Sequence, residues 1–531
     1  MHDSKSSKRR RTSSGGWAAA AGTVLLAAAL SASAAWWVLA NGYTLYYGDA
    51  QAHLNIARRI IDSRTPGYEQ FGTVWLPLPH AAMLPFVGSD EWWRSGLAGA
   101  IPAALSFVLA GGFLYGAARR ALGTVWAGFA AAMLFALNPN LLYLQSTPMS
   151  EPFAYAGVLG MVYFAVVVSQ TGSLWAAAAA GLMSNVASMS RYEGWFLIPF
   201  TATAILIAAP RRRWMAACLF GAVAALGPLY WLAHNYYFYG DALEFYRGPY
   251  SAKAIYQRAL DAGMARYPGD HEWPKAWLYF REAATLCAGQ WLLWLAAAGG
   301  LAALWRRAFV PLALLLLLPL FYVFSLYSSG TPIFVPHLWP HSYYNTRYGL
   351  AALPLLCFAA AGLVAVLPRR LVPAGAVLAI VLGAYPWVRD ARPEAWITWK
   401  ESQVNSDARR AWTAKAAEYL RPRVRPGDGV LTSFGDLAGI FPLAGLRLQR
   451  TLHEGNDPLW TAALARPDLF LWEEWAVAIA GDKVSTALQR ANRRGPAFDR
   501  VHEIVQKGAP VIEIYRRRDA NPLHEGARSA Q

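Results

Sequence analysis

Charge is scarce in this chain. Charged residues make up 15% of it, against 56% hydrophobic residues, where soluble domains usually carry about 25% charged residues. That shortage excludes a single soluble core of 531 residues, and the apolar content excludes a disordered chain. Cysteine is scarcer still. Cys218, Cys287 and Cys357 all stand in apolar surroundings, with neither a disulfide framework nor metal-ligand spacing. No P-loop, Rossmann glycine pattern or His-Glu-x-x-His occurs. Acid is also in deficit, 32 Asp and Glu against 48 Lys and Arg, for a formal net charge of +16. Such an excess could serve nucleic acid, but its distribution points elsewhere.

What the chain has in quantity is long uncharged runs. A membrane-spanning helix needs about 20 mostly apolar residues. Eleven stretches near that length can be read, over 17–40, 95–117, 121–138, 152–169, 173–190, 194–209, 214–238, 286–304, 308–327, 348–367 and 371–388. The third, fifth and sixth are short. Lys and Arg in short loops report orientation. The tail over 1–16 holds Lys5, Lys8, Arg9, Arg10 and Arg11, and basic loops follow at Arg119-Arg120, Arg211-Arg212-Arg213, Arg306-Arg307 and Arg369-Arg370. These residues account for most of the excess charge, so their side reads as cytoplasmic and the C-terminus as extracytoplasmic. Residues 1–35 also have the cast of a signal peptide, with Ala32-Ser33-Ala34 as cleavage site. The apolar run continues through Trp36, Trp37, Val38 and Leu39, which favours an uncleaved anchor.

The fold class is therefore an all-α, multi-pass protein of the cell (cytoplasmic) membrane over 17–390, with long outer loops at 42–94 and 239–285. From 402 to 518 the composition turns to that of a small extracytoplasmic α/β domain. Strands are read at Val430–Phe434, Leu446–Gln449, Leu469–Trp472 and Val511–Tyr515, and helices at 406–420 and 482–494. A polar tail covers 519–531.

A few charges are not explained by orientation. Asp49 opens a helix just beyond the first span; it is either an N-cap or a general base held near lipid. Ala52 three residues on denies it a capping box. His53 lies one turn later on the same face. Glu151 is the only charge between Arg120 and Arg191, and an ionisable residue so isolated is a functional candidate; a helix N-terminal acid is the plainer role. In Arg191-Tyr192-Glu193 the two charges would not face each other on a helix, so Arg191 is expected to meet an anion from elsewhere. Arg347 is the single charge between Arg307 and Arg369. Its guanidinium suits phosphate, with snorkelling to the interface as the alternative. His80 closes an extended, proline-spaced stretch of the first loop. The aromatic girdle over His234–Tyr239 reads mainly as interfacial anchoring.

Four motifs together resemble the glycosyltransferase C superfamily, and most nearly glycosyltransferase family 39 with its bacterial aminoarabinose-transferase-like relatives. They are Gly48-Asp49-Ala50 after the first span, Ser150-Glu151-Pro152 before the fourth, the aromatic-Gly-Asp-x-Leu-x-Phe block within Asn235–Phe245, and Asn345-Thr346-Arg347-Tyr348 at a late span. The resemblance covers about 17–390. It implies an inverting transfer of a sugar from a polyprenyl-phosphate donor to an extracytoplasmic lipid, glycan or protein, with Asp49 as the acceptor-activating base. Protein mannosyltransferases of the family carry Asp-Glu where this chain has Asp49-Ala50, which leaves the acceptor open. Arg347, Arg191 and Arg58 are the expected phosphate ligands. Glu151, His53, His80, Glu193, Asn235 and Tyr348 are expected to bind sugar or acceptor. The sequence requires no cofactor, leaves a divalent metal open, and calls for a bilayer but no nucleic acid. The alternative from another class is a polytopic transporter or lipid-linked-sugar flippase. Transporters usually hold ionisable residues near the bilayer midplane and show repeat symmetry. Here the isolated charges fall at the outer span ends and no repeat is visible.

Overall fold

The computed structural model describes residues 3–494 and 496–518. The polar tail 519–531 lies outside the described residues, as do the side chains of the basic tail 1–16. The chain divides into two compact units. A helical unit comprises Met1–Tyr43, Thr73–Pro79 and Ala100–Glu401, and a sheet unit comprises Thr44–Gly72, His80–Gly99 and Ser402–Gln531.

All eleven apolar stretches are helical, but not all are simple spans. Among the described residues seven helices are long and apolar enough to cross a membrane: Trp17–Ala40, Leu97–Leu122, Glu151–Thr171, Arg213–Tyr239, Phe309–Tyr327, Thr346–Val366 and Val372–Arg389. Two more candidates are broken: Val125–Ala136 with Pro139–Gln145 bends by 68°, and Trp273–Ala288 with Gln290–Trp305 by 105°. Leu174–Ser188 and Glu193–Ala208 have 15 and 16 residues. Those helices are about 22–24 Å long, shorter than a hydrocarbon core of about 30 Å. The protein is thus a multi-pass membrane protein. Among the described residues length and composition support seven to nine spans and do not confirm the expected eleven.

The breaks have a physical account. A broken helix leaves carbonyls without intrahelical partners, and irregular backbone at membrane depth is tolerated only inside protein. The Cys287 carbonyl, at the 105° break, accepts from the side-chain amides of Asn138 at 2.9 Å and Asn140 at 3.0 Å. Those asparagines lie at the other break, so side chains at one discontinuity satisfy a carbonyl at the other. Elsewhere small residues let backbones meet. A Cβ on Gly362 would overlap the Gly299 carbonyl, and one on Gly299 would overlap that of Ala359.

The sheet unit contains five strands: β1 Val430–Thr432, β2 Thr451–Leu452, β3 Trp475–Ile479, β4 Phe498–Ile504 and β5 Ile512–Arg517. Their order is β2-β1-β3-β5-β4, with β1 parallel to β2 and β3, and β5 antiparallel to β3 and β4. Alternation along the strands feeds two cores. Val430, Trp475, Val477, Ile512 and Ile514 pack with Trp412 and Leu420 of the helix Asp407–Leu420, and with Leu54, Met83, Val87 and Trp93 from the first-loop segments. Leu431, Ala476, Ala478 and Tyr515 pack with Val484 and Leu488 on the other face.

Two expected strands shift, for local reasons. At Leu446–Gln449 the Leu448 and Gln449 amides donate to the Asp62 carboxylate at 3.3 and 3.1 Å, and the chain turns before pairing at Thr451. At Leu469–Trp472, Pro467 instead opens a short helix, Pro467–Phe470, a favoured position for proline. Strand β4, rich in charge, lies at the sheet edge, where charged side chains guard against stray pairing.

Candidate functional site

In the helical unit the isolated charges converge. Glu151 begins the helix Glu151–Thr171 and Glu193 begins Glu193–Ala208, both acids at the end of a helix that favours them. Arg191 sits in the turn before Glu193. Arg347 lies in the 3-10 turn Thr346–Ala352, entered through Asn345 at φ 52°, a left-handed conformation that Asn tolerates better than most residues. The fifth member, Glu401, comes from the helix Ile397–Val404. That helix is held by the Thr398 amide donating to Asn140 Oδ1 at 3.1 Å. Trp396 and Trp399 also meet Trp37 and Tyr43 edge-on, at 5.6 and 5.3 Å between ring centroids.

These residues form a chain of alternating charge. Arg191 Nε donates to Glu193 Oε1 at 2.6 Å and its Nη1 to Glu151 Oε1 at 3.3 Å. The same Glu151 oxygen accepts from Arg347 Nε at 3.2 Å. Glu401 then accepts from Arg347 Nη1 at 2.9 Å and from the Arg347 amide at 3.0 Å. Tyr322 closes one end: its hydroxyl accepts from Arg191 Nη2 at 2.9 Å and donates to Glu193 at 2.7 Å. The Tyr348 ring has a guanidinium carbon 5.0 Å away on each count, from Arg191 and from Arg347. The carboxylates and Arg347 are at most 9% exposed, and Arg191 is 16% exposed. The chain has one more carboxylate than guanidinium.

Arg191 thus meets an anion from elsewhere, Glu151, as expected. It pairs with Glu193 as well, which helical spacing alone would not allow, because Arg191 precedes the helix. Asn235 is engaged in holding the loop: its Nδ2 donates to the Trp231 carbonyl at 2.9 Å, and its Oδ1 accepts from Thr73. Tyr192 donates to the Val74 carbonyl at 2.8 Å, so Thr73–Pro79 is stitched onto the helical unit.

The other candidates lie in the sheet unit. Asp49 is the second residue of the helix Gly48–Arg59, whose N-cap is Tyr47, so the N-cap alternative for Asp49 does not hold. His53, one turn on, places Nδ1 2.8 Å from His80 Nε2, and both rings are buried. Burial, and then the charges of His53 and Arg59, hold His80 well below the usual histidine range. His453, stacked on Phe434 at 4.3 Å, is likewise held down by burial and by Arg59 and Arg64. Arg58 is a structural hub. It donates to Asp62 at 2.7 Å, to Asp90 at 2.6 Å, and to the carbonyls of Val87 and Gly88 at 2.9 and 3.2 Å, with its guanidinium over Trp93. Burial alone would raise the Asp90 carboxyl; Arg58, with Arg447 and Arg94, outweighs it and holds Asp90 low. Among the described residues no group of three or more His, Cys, Asp or Glu is placed to hold a metal ion.

Sequence reasoning did not single out Glu401, Tyr322 or Arg409. Glu401 stands where composition already turns soluble, and a tyrosine in an apolar helix is unexceptional. Arg409, whose guanidinium lies against Gly48, is one arginine among many in the C-terminal region.

Residues 93–237 match the family model for dolichyl-phosphate-mannose-protein mannosyltransferase. No curated protein matches the chain. Among solved structures, ArnT from Cupriavidus metallidurans bound to undecaprenyl phosphate aligns with 93% of this chain and 98% of its own, at 15% identity and a TM-score of 0.58. ArnT in the apo state aligns with 88% of this chain and 93% of its own, at 14% identity and a TM-score of 0.53. The chain has a glycosyltransferase C fold. The resemblance read from its motifs is therefore matched by its three-dimensional form. The segment of the glycosyltransferase C fold that matches the family model contains Glu151, Arg191, Glu193 and Asn235, while Asp49, Arg347 and Glu401 fall outside it.

Proposed function

We propose that this protein is a membrane glycosyltransferase that moves a sugar from a polyprenyl-phosphate donor to an extracytoplasmic lipid, glycan or protein acceptor, with inversion and with Asp49 as general base. The observation that carries the reading is the buried chain Glu193–Arg191–Glu151–Arg347–Glu401 within a glycosyltransferase C fold. The ligand named for the ArnT structure, undecaprenyl phosphate, supports the donor class. The N-terminus is cytoplasmic in this reading, and the sheet unit extracytoplasmic.

The chemistry is a displacement. The acceptor oxygen attacks the anomeric carbon while Asp49 takes its proton. The bond from that carbon to the phosphate oxygen breaks, and the lipid phosphate leaves with the electron pair. Fixed guanidinium groups in a water-poor setting stabilise the charge that develops. Arg191 and Arg347 are those groups. Both are already bound by carboxylates, so a phosphate engages them by exchanging with one, first at the more exposed Arg191. The surplus carboxylate, Glu151 or Glu193, accepts hydrogen bonds from sugar hydroxyls. The His53–His80 pair fixes the helix one turn beyond Asp49. Arg58 has no part in this scheme, its donors being engaged within the sheet unit.

Mass spectrometry of lipid-linked sugars and envelope glycans tests the reading in cells with and without the gene. Deletion is expected to accumulate one polyprenyl-phosphate sugar and to remove one glycan. The wild-type gene restores both, whereas Asp49→Asn and Arg347→Ala do not. Unchanged lipids and glycans on deletion would overturn it.

A further inference from the structure

The helix that carries Asp49 is gripped by two consecutive arginines of the helix Asp407–Leu420, all within the sheet unit. Arg410 donates to the Leu45 carbonyl at 3.3 Å and lays its guanidinium 4.1 Å from the centre of the Tyr46 ring. Arg409 donates through Nη2 to the Tyr46 carbonyl at 3.2 Å. Its Nη1 lies so near Gly48 that a Cβ there would overlap it. A guanidinium thus rests on the first turn of the helix, at the end where the helix dipole disfavours positive charge. Such a placement needs anions beside it. Asp436 is 3.8 Å away but 62% exposed, and water weakens a pair of that kind. The remaining carboxylate is Asp49, whose charge acts on Arg409 and, with that of Asp436, opposes the lowering that burial imposes on the guanidinium.

We infer that Arg409 is a positioning residue for Asp49, and that residue 48 is glycine so that the guanidinium can reach it. The inference rests on the reading of Asp49 as the base. Arg409 fixes the backbone from Tyr46 into the first turn that carries Asp49. It also gives the C-terminal region a part in the reaction. The charged and titratable groups around this first turn are Arg409 and Arg410 from the helix, Asp436 from the turn Asp436–Gly439, Tyr46 before it and His53 one turn on. Tyr68, Glu69 and Arg450 come from the other two segments packed on the Asp49 helix.

Purified full-length protein is assayed with the lipid extract of gene-deleted cells as donor, following release of free polyprenyl phosphate by mass spectrometry. Arg409→Gln is expected to lower kcat by about ten-fold or more, with KM within about two-fold. Arg409→Lys recovers part of the lost kcat. Gly48→Ala reproduces the defect with both functional side chains intact; its helical backbone accepts alanine, and only the mobile end of Arg409 must give way. Folding of each variant is followed by thermal unfolding, and Gly48→Ala decides the matter if Arg409→Gln does not fold. Wild-type kcat in folded Gly48→Ala, while Asp49→Asn abolishes release, overturns the positioning role alone. Wild-type release by Asp49→Asn overturns the base assignment and the inference with it.

Discussion

The two units of this protein treat charge in opposite ways. In the helical unit the apolar helices hold few ionisable side chains, and the isolated charges at their ends gather into one alternating chain, Glu193–Arg191–Glu151–Arg347–Glu401, apart from the more exposed pairs of the loop over 239–285. In the sheet unit ionisable side chains are many and dispersed, and one buried arginine, Arg58, ties Asp62, Asp90 and two backbone carbonyls together. Burial of a charge therefore carries a different meaning in each. Surrounded by apolar helices, a buried ion has few structural uses and a high desolvation cost. In a mixed α/β core, a buried arginine is more readily the clasp that joins segments distant in sequence.

The largest expected effect breaks the alternating chain at its centre. Arg347→Ala leaves Glu151 and Glu401 buried without the cation between them, at a cost of about 3–5 kcal/mol. Thermal unfolding of the purified protein in detergent measures it. Glu401→Gln, which keeps an acceptor for Arg347, is expected to cost less. If Arg347→Ala unfolds like the parent protein, the five residues are not an electrostatic unit, and the contrast between the units fails.

Next comes the sheet unit. Arg58→Ala removes hydrogen bonds to a buried carboxylate, a half-exposed one and two carbonyls, at an expected cost of about 2–3 kcal/mol. Per folded molecule, binding of undecaprenyl phosphate is expected to be unchanged. A folded Arg58→Ala protein that no longer binds undecaprenyl phosphate would return Arg58 to the phosphate site and erase the difference between the two units.

The same contrast explains what could be read in the sequence. Glu151 and Arg347 were legible because each stands alone in a long apolar run, and Arg191 because only Glu193 accompanies it between two such runs, so isolation itself was the signal. Their mutual contact was not legible, since it joins stretches up to 250 residues apart in the chain that only the fold brings together. Glu401 was hidden by its neighbours: it lies among the polar residues that follow the last helix. Arg409 was hidden by abundance. Its importance comes from the nearness of Gly48, some 360 residues earlier in the chain, and no local pattern encodes that. The helices themselves followed from hydropathy. The two misplaced strands did not follow from strand propensity, because an Asp62 carboxylate and a proline decided them.

A pH titration sharpens the comparison further. His453 accepts the Gly455 amide on Nδ1 at 3.0 Å, so its neutral ring carries the proton on Nε2, and protonating both nitrogens forfeits that bond. Its folded form resists charging, whereas in the unfolded chain histidine charges below about pH 6.5. The unfolded state then binds more protons, and stability falls as pH drops. About 1 kcal/mol is expected to be lost by pH 5.5 through His453 alone, and His80 adds to the loss in the same direction. His453→Asn, which keeps an acceptor but does not titrate, is expected to flatten that slope. An unaltered slope would show that the buried histidines do not govern the acid sensitivity of the sheet unit.

The smallest effect tests whether the alternating chain depends on more than ion pairs. Tyr348 lies 5.0 Å from each of the two guanidinium groups, and its ring also meets Tyr322 at 5.0 Å. An aromatic face attracts a guanidinium by about 0.5–2 kcal/mol, more where water is excluded. Tyr348→Phe preserves the face and is expected to leave thermal unfolding nearly unchanged. Tyr348→Leu keeps apolar volume but loses the face, so it is expected to cost about 1 kcal/mol. Combined with Arg191→Ala, the cost of Tyr348→Leu should shrink, since one of its two cations is gone. Equal losses from Phe and Leu would assign the contribution to the hydroxyl, and equal losses with and without Arg191 would assign it to packing. Either result would leave the ion pairs alone to account for the order of this cluster.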